Sequence, residues 1–240
     1  MDESILFPAM NFAALPERLA HIRGEIVRRQ ETGGWTDAVT IVAVTKGFGP
    51  EAVRAALAAG LPDVGENRVQ EALEKMTQVP GPGAAWHLIG HLQRNKARLV
   101  PGRFTLVHSI DSLELAEELA RRAATAGIRQ RVLLQVNVAG EAQKNGCALG
   151  DAPVLARGIA ALDSLALEGL MTMAPLTDEV DTQRRTFRGL RQVRDALREE
   201  GLWLPTLSMG MSADYATAVE EGATVIRLGT ALFGTRTEAA

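Results

Sequence analysis

The stretch Val39-Thr40-Ile41-Val42-Ala43-Val44-Thr45-Lys46 decides the fold. From Val39 to Val44 it is apolar or β-branched throughout, with no polar alternation. Such a run suits a strand buried on both faces, as in a parallel sheet covered by helices. Helix-like segments flank it. Before it, Phe12 to Gln30 carries Leu15, Leu19, Ile22 and Ile26 at spacings of three and four, one apolar stripe that Gly33 and Gly34 end. After it, Pro50 to Ala59 reads as a helix with Pro50 in its first turn.

The same alternation continues outward. Strand-like runs follow at Asp63 to Glu66, Trp86 to Ile89, Thr105 to Ile110, Arg131 to Val138, Leu165 to Met173, Thr206 to Met209 and Thr224 to Leu228. Helical stretches separate most of them, one capped by Asp111 or Ser112. With the first run this makes eight strands, and the expected architecture is an α/β fold: a single (β/α)8 TIM barrel over residues 1–240 with an extra N-terminal helix. A doubly wound open sheet is the alternative. It would carry a Gly-rich dinucleotide turn after its first strand, and Lys46-Gly47-Phe48-Gly49 is not G-x-G-x-x-G. The 240 residues suit one barrel.

Composition narrows the function classes. With 46% hydrophobic but only 4% aromatic residues, the core must be aliphatic. A net charge of −3 gives no sign of a nucleic-acid partner, which would need clustered Lys and Arg. The densest basic run, Arg184 to Arg198, falls at helical spacing beside Phe187, Leu190, Val193 and Leu197, and reads as a solvated helix face; a patch for an anionic partner stays open. The one cysteine, Cys147, excludes an intrachain disulfide and reads as an incidental thiol. Met1 to Pro16 lacks a signal-peptide pattern, and no apolar run nears the roughly 20 residues of a membrane span. A cytoplasmic protein with no membrane partner is expected. No long exposed apolar helix demands a dimer, so a monomer is expected too.

Barrels place their chemistry at the C-terminal ends of strands. Val42, Val44 and Lys46 share a strand face; if it points inward, Lys46 sits above an aliphatic core that would favour its neutral, nucleophilic amine. A lone lysine there could equally snorkel to solvent. The loops after the last two strands, Ser208-Met209-Gly210-Met211-Ser212 and Gly229-Thr230, stand where barrels often bind phosphate. Ser212 could instead be only the N-cap of a helix from Ala213 to Glu220. Arg227 lies in an apolar strand and needs a partner: a carboxylate such as Glu66 or Asp214, or a ligand heteroatom. His87 and His91 lack the pattern of a zinc site, and His91 is the better functional candidate because it ends a strand. Glu66 and Asn67 orient a ligand or tie loops together; Met171, Met173, Met209 and Met211 read as pocket wall or core.

Several segments resemble one family: Ala43-Val44-Thr45-Lys46, Gly65-Glu66-Asn67-Arg68-Val69-Gln70-Glu71, Trp86 to Lys96, His108-Ser109-Ile110-Asp111-Ser112, Gln135-Val136-Asn137-Val138, Gly169 to Met173, Ser208 to Ser212, and Arg227 to Gly234. Together, in order, they are similar to the pyridoxal phosphate homeostasis proteins, which are like the N-terminal domain of alanine racemase. The likeness runs from about Leu15 to Gly234. It implies pyridoxal 5′-phosphate held as a Schiff base on Lys46, with Ser208, Gly210, Met211, Ser212, Gly229 and Thr230 around the phosphate and Met209 also at the cofactor. It also implies Arg227 at the pyridine nitrogen and Asn67 beside the ring. Val64 and Leu88 depart from positions often aromatic, which touches local packing only.

The resemblance implies a carrier more than a catalyst. Alanine racemases draw a catalytic tyrosine from a second domain of a partner subunit, and this sequence has only Tyr215. An arginine at the pyridine nitrogen weakens the ring as an electron sink. The expected function is homeostasis of the cofactor and, indirectly, of amino and keto acids, with apo-forms of dependent enzymes as partners. The rivals are a low-activity amino-acid racemase, a class I aldolase-like barrel and a pure interaction module. Lys144 is open as a second transfer lysine.

Overall fold

A computed structural model describes residues 12–81 and 83–235. The outer limits of the expected domain, residues 1–11 and 236–240, lie outside them, as does most of the Met1 to Pro16 segment. The chain opens with α1 (Leu15–Gly33). Then follow β1 (Thr40–Val44), α2 (Pro50–Ala58), β2 (Asp63–Glu66), α3 (Val69–Gln78) and β3 (Ala85–Leu88). A 3-10 helix, Arg94–Leu99, leads to β4 (Leu106–Ile110), α4 (Leu113–Thr125) and β5 (Gln130–Asn137). Next come β6 (Cys147–Ala148), α5 (Ala152–Ala160), β7 (Leu165–Met171), α6 (Val180–Glu199), β8 (Thr206–Ser208), α7 (Tyr215–Glu220), β9 (Val225–Leu228) and α8 (Thr230–Phe233).

All strand pairs are parallel. The order β4-β3-β2-β1-β9-β8-β7-β5, closed by a β4–β5 pairing, is an eight-stranded barrel. The expected TIM barrel and its added N-terminal helix are therefore present. A ninth strand, β6, was not expected; its two residues pair only with the end of β5, outside the barrel.

Alternation along β1 sets the two layers. Ile41 and Ala43 belong to the large core between strands and helices. Val42 faces the barrel interior, where a Cβ on Gly65 would approach it to 2.8 Å. The interior holds a separate apolar cluster of Leu106, Leu133 and Met171, backed by Met173. On α1, Leu15, Leu19, Ile22 and Ile26 are the buried stripe, and the helix packs against α7 and α8. Each such side chain contributes about 1.5–3 kcal/mol by leaving water.

The arginine run on α6 is not simply a solvated face. Arg184 and Arg188 bond the buried Glu221 at 3.0 and 2.9 Å, and Arg191 reaches it at 3.1 Å. Arg184 and, from α1, Arg29 take Glu220. Arg191 also lies 4.8 Å over the Trp35 ring, whose indole N–H donates to the Glu220 carbonyl. Two adjacent carboxylates thus tie α1, α6 and α7 together, and Arg194 is buried on the core side. Burial opposes ionisation of Glu221, but hydrogen bonds from Arg188 and Arg184 hold its carboxyl below the usual value of 4.5. Its folded-state pKa is depressed, so its stabilisation is present above pH 4.5 and lost as pH falls through the folded value. Glu221→Gln should lower the melting temperature at pH 7 and flatten its decline between pH 5 and 3. Melting curves with the wild-type acid slope in the variant would show that the cluster contributes nothing to this limb.

Among the described residues no helix is long and apolar enough to cross a membrane, and no group of three or more His, Cys, Asp or Glu is placed to hold a metal ion. Cys147 is buried, and burial pushes its thiol up to about 12.

Candidate functional site

A pocket of about 390 Å³ opens at the C-terminal ends of the strands. Seven of the ten residues that the resemblance assigns to the cofactor line it: Lys46, Asn67, Met211, Ser212, Arg227, Gly229 and Thr230. Ser208, Met209 and Gly210 do not. Ser208 is fully buried beneath Arg227, Met209 packs in the outer core, and Gly210 shapes the loop behind the wall. Gly210 has φ +93°, and a Cβ there would meet Ala218 at 2.6 Å, so only glycine fits.

Lys46 lines the pocket beside Val44, on the inward side expected from Val42 and Val44, and is exposed there because β1 ends at Val44 and the chain turns. Its amine makes no hydrogen bond or ion pair with any described residue. The backbone around it is firmly held. Thr45 is fully buried; its hydroxyl donates to Glu66 Oε1 at 2.5 Å and its carbonyl accepts from Lys75 Nζ at 2.8 Å. The Gly47 N–H donates to Glu71 Oε1 at 3.0 Å. Lys75 joins both carboxylates, 2.6 Å from Glu66 and 3.1 Å from Glu71. Residues on each side of Lys46 are thus clamped while its side chain is free.

Glu66 accordingly ties β1, β2 and α3 together and does not reach the ligand pocket. Burial pushes its carboxyl up, against the pull of Lys75, and its Oε2 has no partner among the described residues. Sequence reasoning missed Lys75 and Glu71. Their spacing of four on one helix was visible, but ordinary for a surface pair.

Arg227 is buried inside the barrel, opposite Val42 of β1 in the strand register. Neither carboxylate weighed from the sequence pairs with it. Nη1 donates to Ser208 Oγ at 2.6 Å and Nη2 to the Thr172 carbonyl at 2.9 Å. Burial pushes the guanidinium down to about 10, partly offset by Asp214. Even so it stays protonated at neutral pH.

Asp214 serves the loop instead. Its Oδ1 accepts from the Met211 N–H at 2.6 Å, and it is the residue before α7, which begins at Tyr215. The N-cap position, the alternative weighed for Ser212, falls to Asp214. Ser212 Oγ accepts from the N–H groups of Gly229 and Ala231, at 3.2 and 3.1 Å, lacing the two glycine loops together. On the opposite wall the β2 and β3 ends approach closely; a Cβ on Gly90 would come within 2.8 Å of the Asn67 Cα. His91 also lines the pocket, 3.6 Å from Asp111. Gln135 and Asn145 line it too, and the Gln135 side-chain amide donates to the Asn145 carbonyl at 2.9 Å. Tyr215 lines a separate cavity with His21.

The chain is similar to known proteins in sequence and in fold. The alanine racemase N-terminal domain family matches residues 19–237. The Pyridoxal phosphate homeostasis protein of Pseudomonas aeruginosa is 42% identical over 93% of this chain and 96% of its own. The chain belongs to the pyridoxal phosphate homeostasis protein family. PipY of Synechococcus elongatus PCC7942, solved with PLP bound, is 37% identical with a TM-score of 0.81, over 92% of this chain and all of PipY. Alanine racemase of Clostridium difficile 630 has a TM-score of 0.78 at 17% identity, over 94% of this chain and 60% of the racemase. That likeness shows the shared fold alone. The pyridoxal phosphate homeostasis family and the racemase thus share one barrel.

Proposed function

We propose that the chain binds pyridoxal 5′-phosphate on Lys46 within a single barrel domain and maintains the cytoplasmic supply of this cofactor. The carrying observation is an unengaged amine, Lys46, in one pocket with a buried cation, Arg227, and two laced glycine loops. The pocket volume of 390 Å³ suits a small cofactor.

When bound, the cofactor brings an aldehyde that condenses with a primary amine with loss of water. Lys46 would be that amine. Ser212 and Thr230 would hold the phosphate by hydroxyl and backbone donors, with Gly229 between them in the lining, Met211 as wall and Gly210 permitting the close turn. Asn67 would lie beside the ring. Arg227 would face the ring nitrogen; a protonated guanidinium donates and has no lone pair to accept, which keeps that nitrogen unprotonated. Ser208 and Met209 support this wall from below. The result is a holder that releases the aldehyde to apo-forms of dependent enzymes. The name of the Pseudomonas relative and the PLP held by PipY support this reading.

Low racemase activity is the second reading, favoured by His91 in the same pocket as Lys46. Proton NMR of L-alanine in D₂O with the loaded protein separates the two. The expected result is no α-deuteration beyond that of free cofactor. Faster exchange that vanishes in Lys46→Ala would make the protein an enzyme.

A further inference from the structure

A chain of hydrogen bonds crosses the barrel interior beneath the pocket. Arg227 Nη1 reaches Ser208 Oγ at 2.6 Å. Ser208 Oγ lies 2.9 Å from His108 Nδ1. His108 Nε2 lies 2.9 Å from His87 Nδ1, and His87 Nε2 lies 2.9 Å from Asp63 Oδ1. These residues come from β9, β8, β4, β3 and β2. Arg227, Ser208, His108 and His87 are buried. Asp63 begins β2 and lines a cavity at the other end of the barrel with Thr40 and Gly60.

With His87 neutral and Asp63 ionised, donor counting fixes the direction. An ionised carboxylate only accepts, so His87 Nε2 carries the proton given to Asp63. In a neutral His87, Nδ1 then accepts, and His108 Nε2–H donates to it. His108 Nδ1 is left as an acceptor and takes the Ser208 hydroxyl proton. The Ser208 lone pairs are left for the guanidinium. Every donor points from Arg227 toward Asp63, with a cation at one end and an anion at the other. Burial, with the Arg227 guanidinium nearby, keeps His108 neutral, as this order requires.

We propose that His108, His87 and Asp63 are positioning residues: they lock one tautomer at each ring and so hold Ser208 as an acceptor that fixes Arg227 at the pocket floor. The consequence for bound pyridoxal phosphate rests on the function proposed above; the tautomers do not.

The first test therefore uses protein without cofactor. Long-range ¹H–¹⁵N NMR of histidine-labelled protein should show His87 and His108 both neutral and both protonated at Nε2. A His87 imidazolium, or His108 protonated at Nδ1, would overturn the proposal. The second test is Asp63→Asn, at the far end of the barrel from the pocket. An amide can donate as well as accept, so both histidines should become tautomer mixtures. Retention of pyridoxal phosphate should weaken about tenfold, the scale of one hydrogen bond, with a shifted visible band and borohydride labelling still at Lys46. Unchanged retention and spectrum in this variant would overturn the proposal. Absence of labelling in wild-type protein would instead sink the cofactor reading and leave the NMR result to decide the relay.

Discussion

Lys46→Ala is expected to fold normally and to lose at least about a hundredfold in pyridoxal phosphate retention, roughly 2.7 kcal/mol. The two halves of that result come from the same geometry. The Lys46 side chain is exposed and bonds to no described residue, so its removal leaves no cavity and no orphaned partner. Stability should move by only about 0.5 kcal/mol, as for other surface changes. What disappears is the amine that reacts with the aldehyde. Phosphate and ring contacts remain, so weak reversible binding should persist. Absorbance after gel filtration reads the retained cofactor, and a urea melt reads the fold. Wild-type retention in the variant would place the reacting amine elsewhere.

Lys75→Met is expected to have the largest effect on stability, about 3–5 kcal/mol, the scale of breaking a buried ion pair. Lys75 is almost enclosed, and its loss leaves the fully buried Glu66 carboxylate with only the Thr45 hydroxyl. Burial already pushes the Glu66 carboxyl up. Without Lys75 it rises further, so the folded-state pKa lies above the unfolded one. Such a group is penalised as pH rises through the folded value and relieved at low pH. The deficit should therefore shrink toward pH 5. The double variant Lys75→Met with Glu66→Gln should recover most of it, since no buried charge is then orphaned. The Thr45 carbonyl and the Gly47 loop also lose support, so labelling of Lys46 should slow in the single variant. Urea denaturation at pH 7 and pH 5 checks the first claim. A cost under about 1 kcal/mol in the single variant would show that the clamp is not holding the Lys46 backbone.

Most of the barrel was legible because its strands are nearly continuous apolar runs, and the Val39 to Val44 run predicted β1 to within a residue. The failures have local causes. β6 is two residues long, too short to carry any periodicity. β8 spans only Thr206–Ser208, so nothing in the sequence shows that Ser208 points beneath Arg227 and toward His108 rather than into the pocket. The alternation that puts Lys46 on the face of Val44 runs two residues past the end of β1, yet Lys46 does reach the pocket beside Val44. Of the two partners weighed for Arg227, a carboxylate or a ligand heteroatom, the carboxylate is not found; a hydroxyl and a carbonyl take its place within the protein. The arginines of α6 read as solvated because Glu220 and Glu221 lie about 30 residues away in sequence. Long-range polar pairs of this kind leave no periodic trace. His91, favoured over His87 because it ends a strand, does line the pocket; the two partners of His87 sit on neighbouring strands and leave no such trace.

The central claim is that Lys46 is the amine that takes the aldehyde of pyridoxal phosphate. Its most direct test is borohydride reduction of the protein mixed with pyridoxal 5′-phosphate, followed by peptide mass mapping. A single phosphopyridoxyl group on the peptide containing Lys46, with the protein yellow before reduction, is the predicted outcome. A colourless protein with no adduct, or an adduct mapping mainly to another lysine such as Lys144, would contradict it.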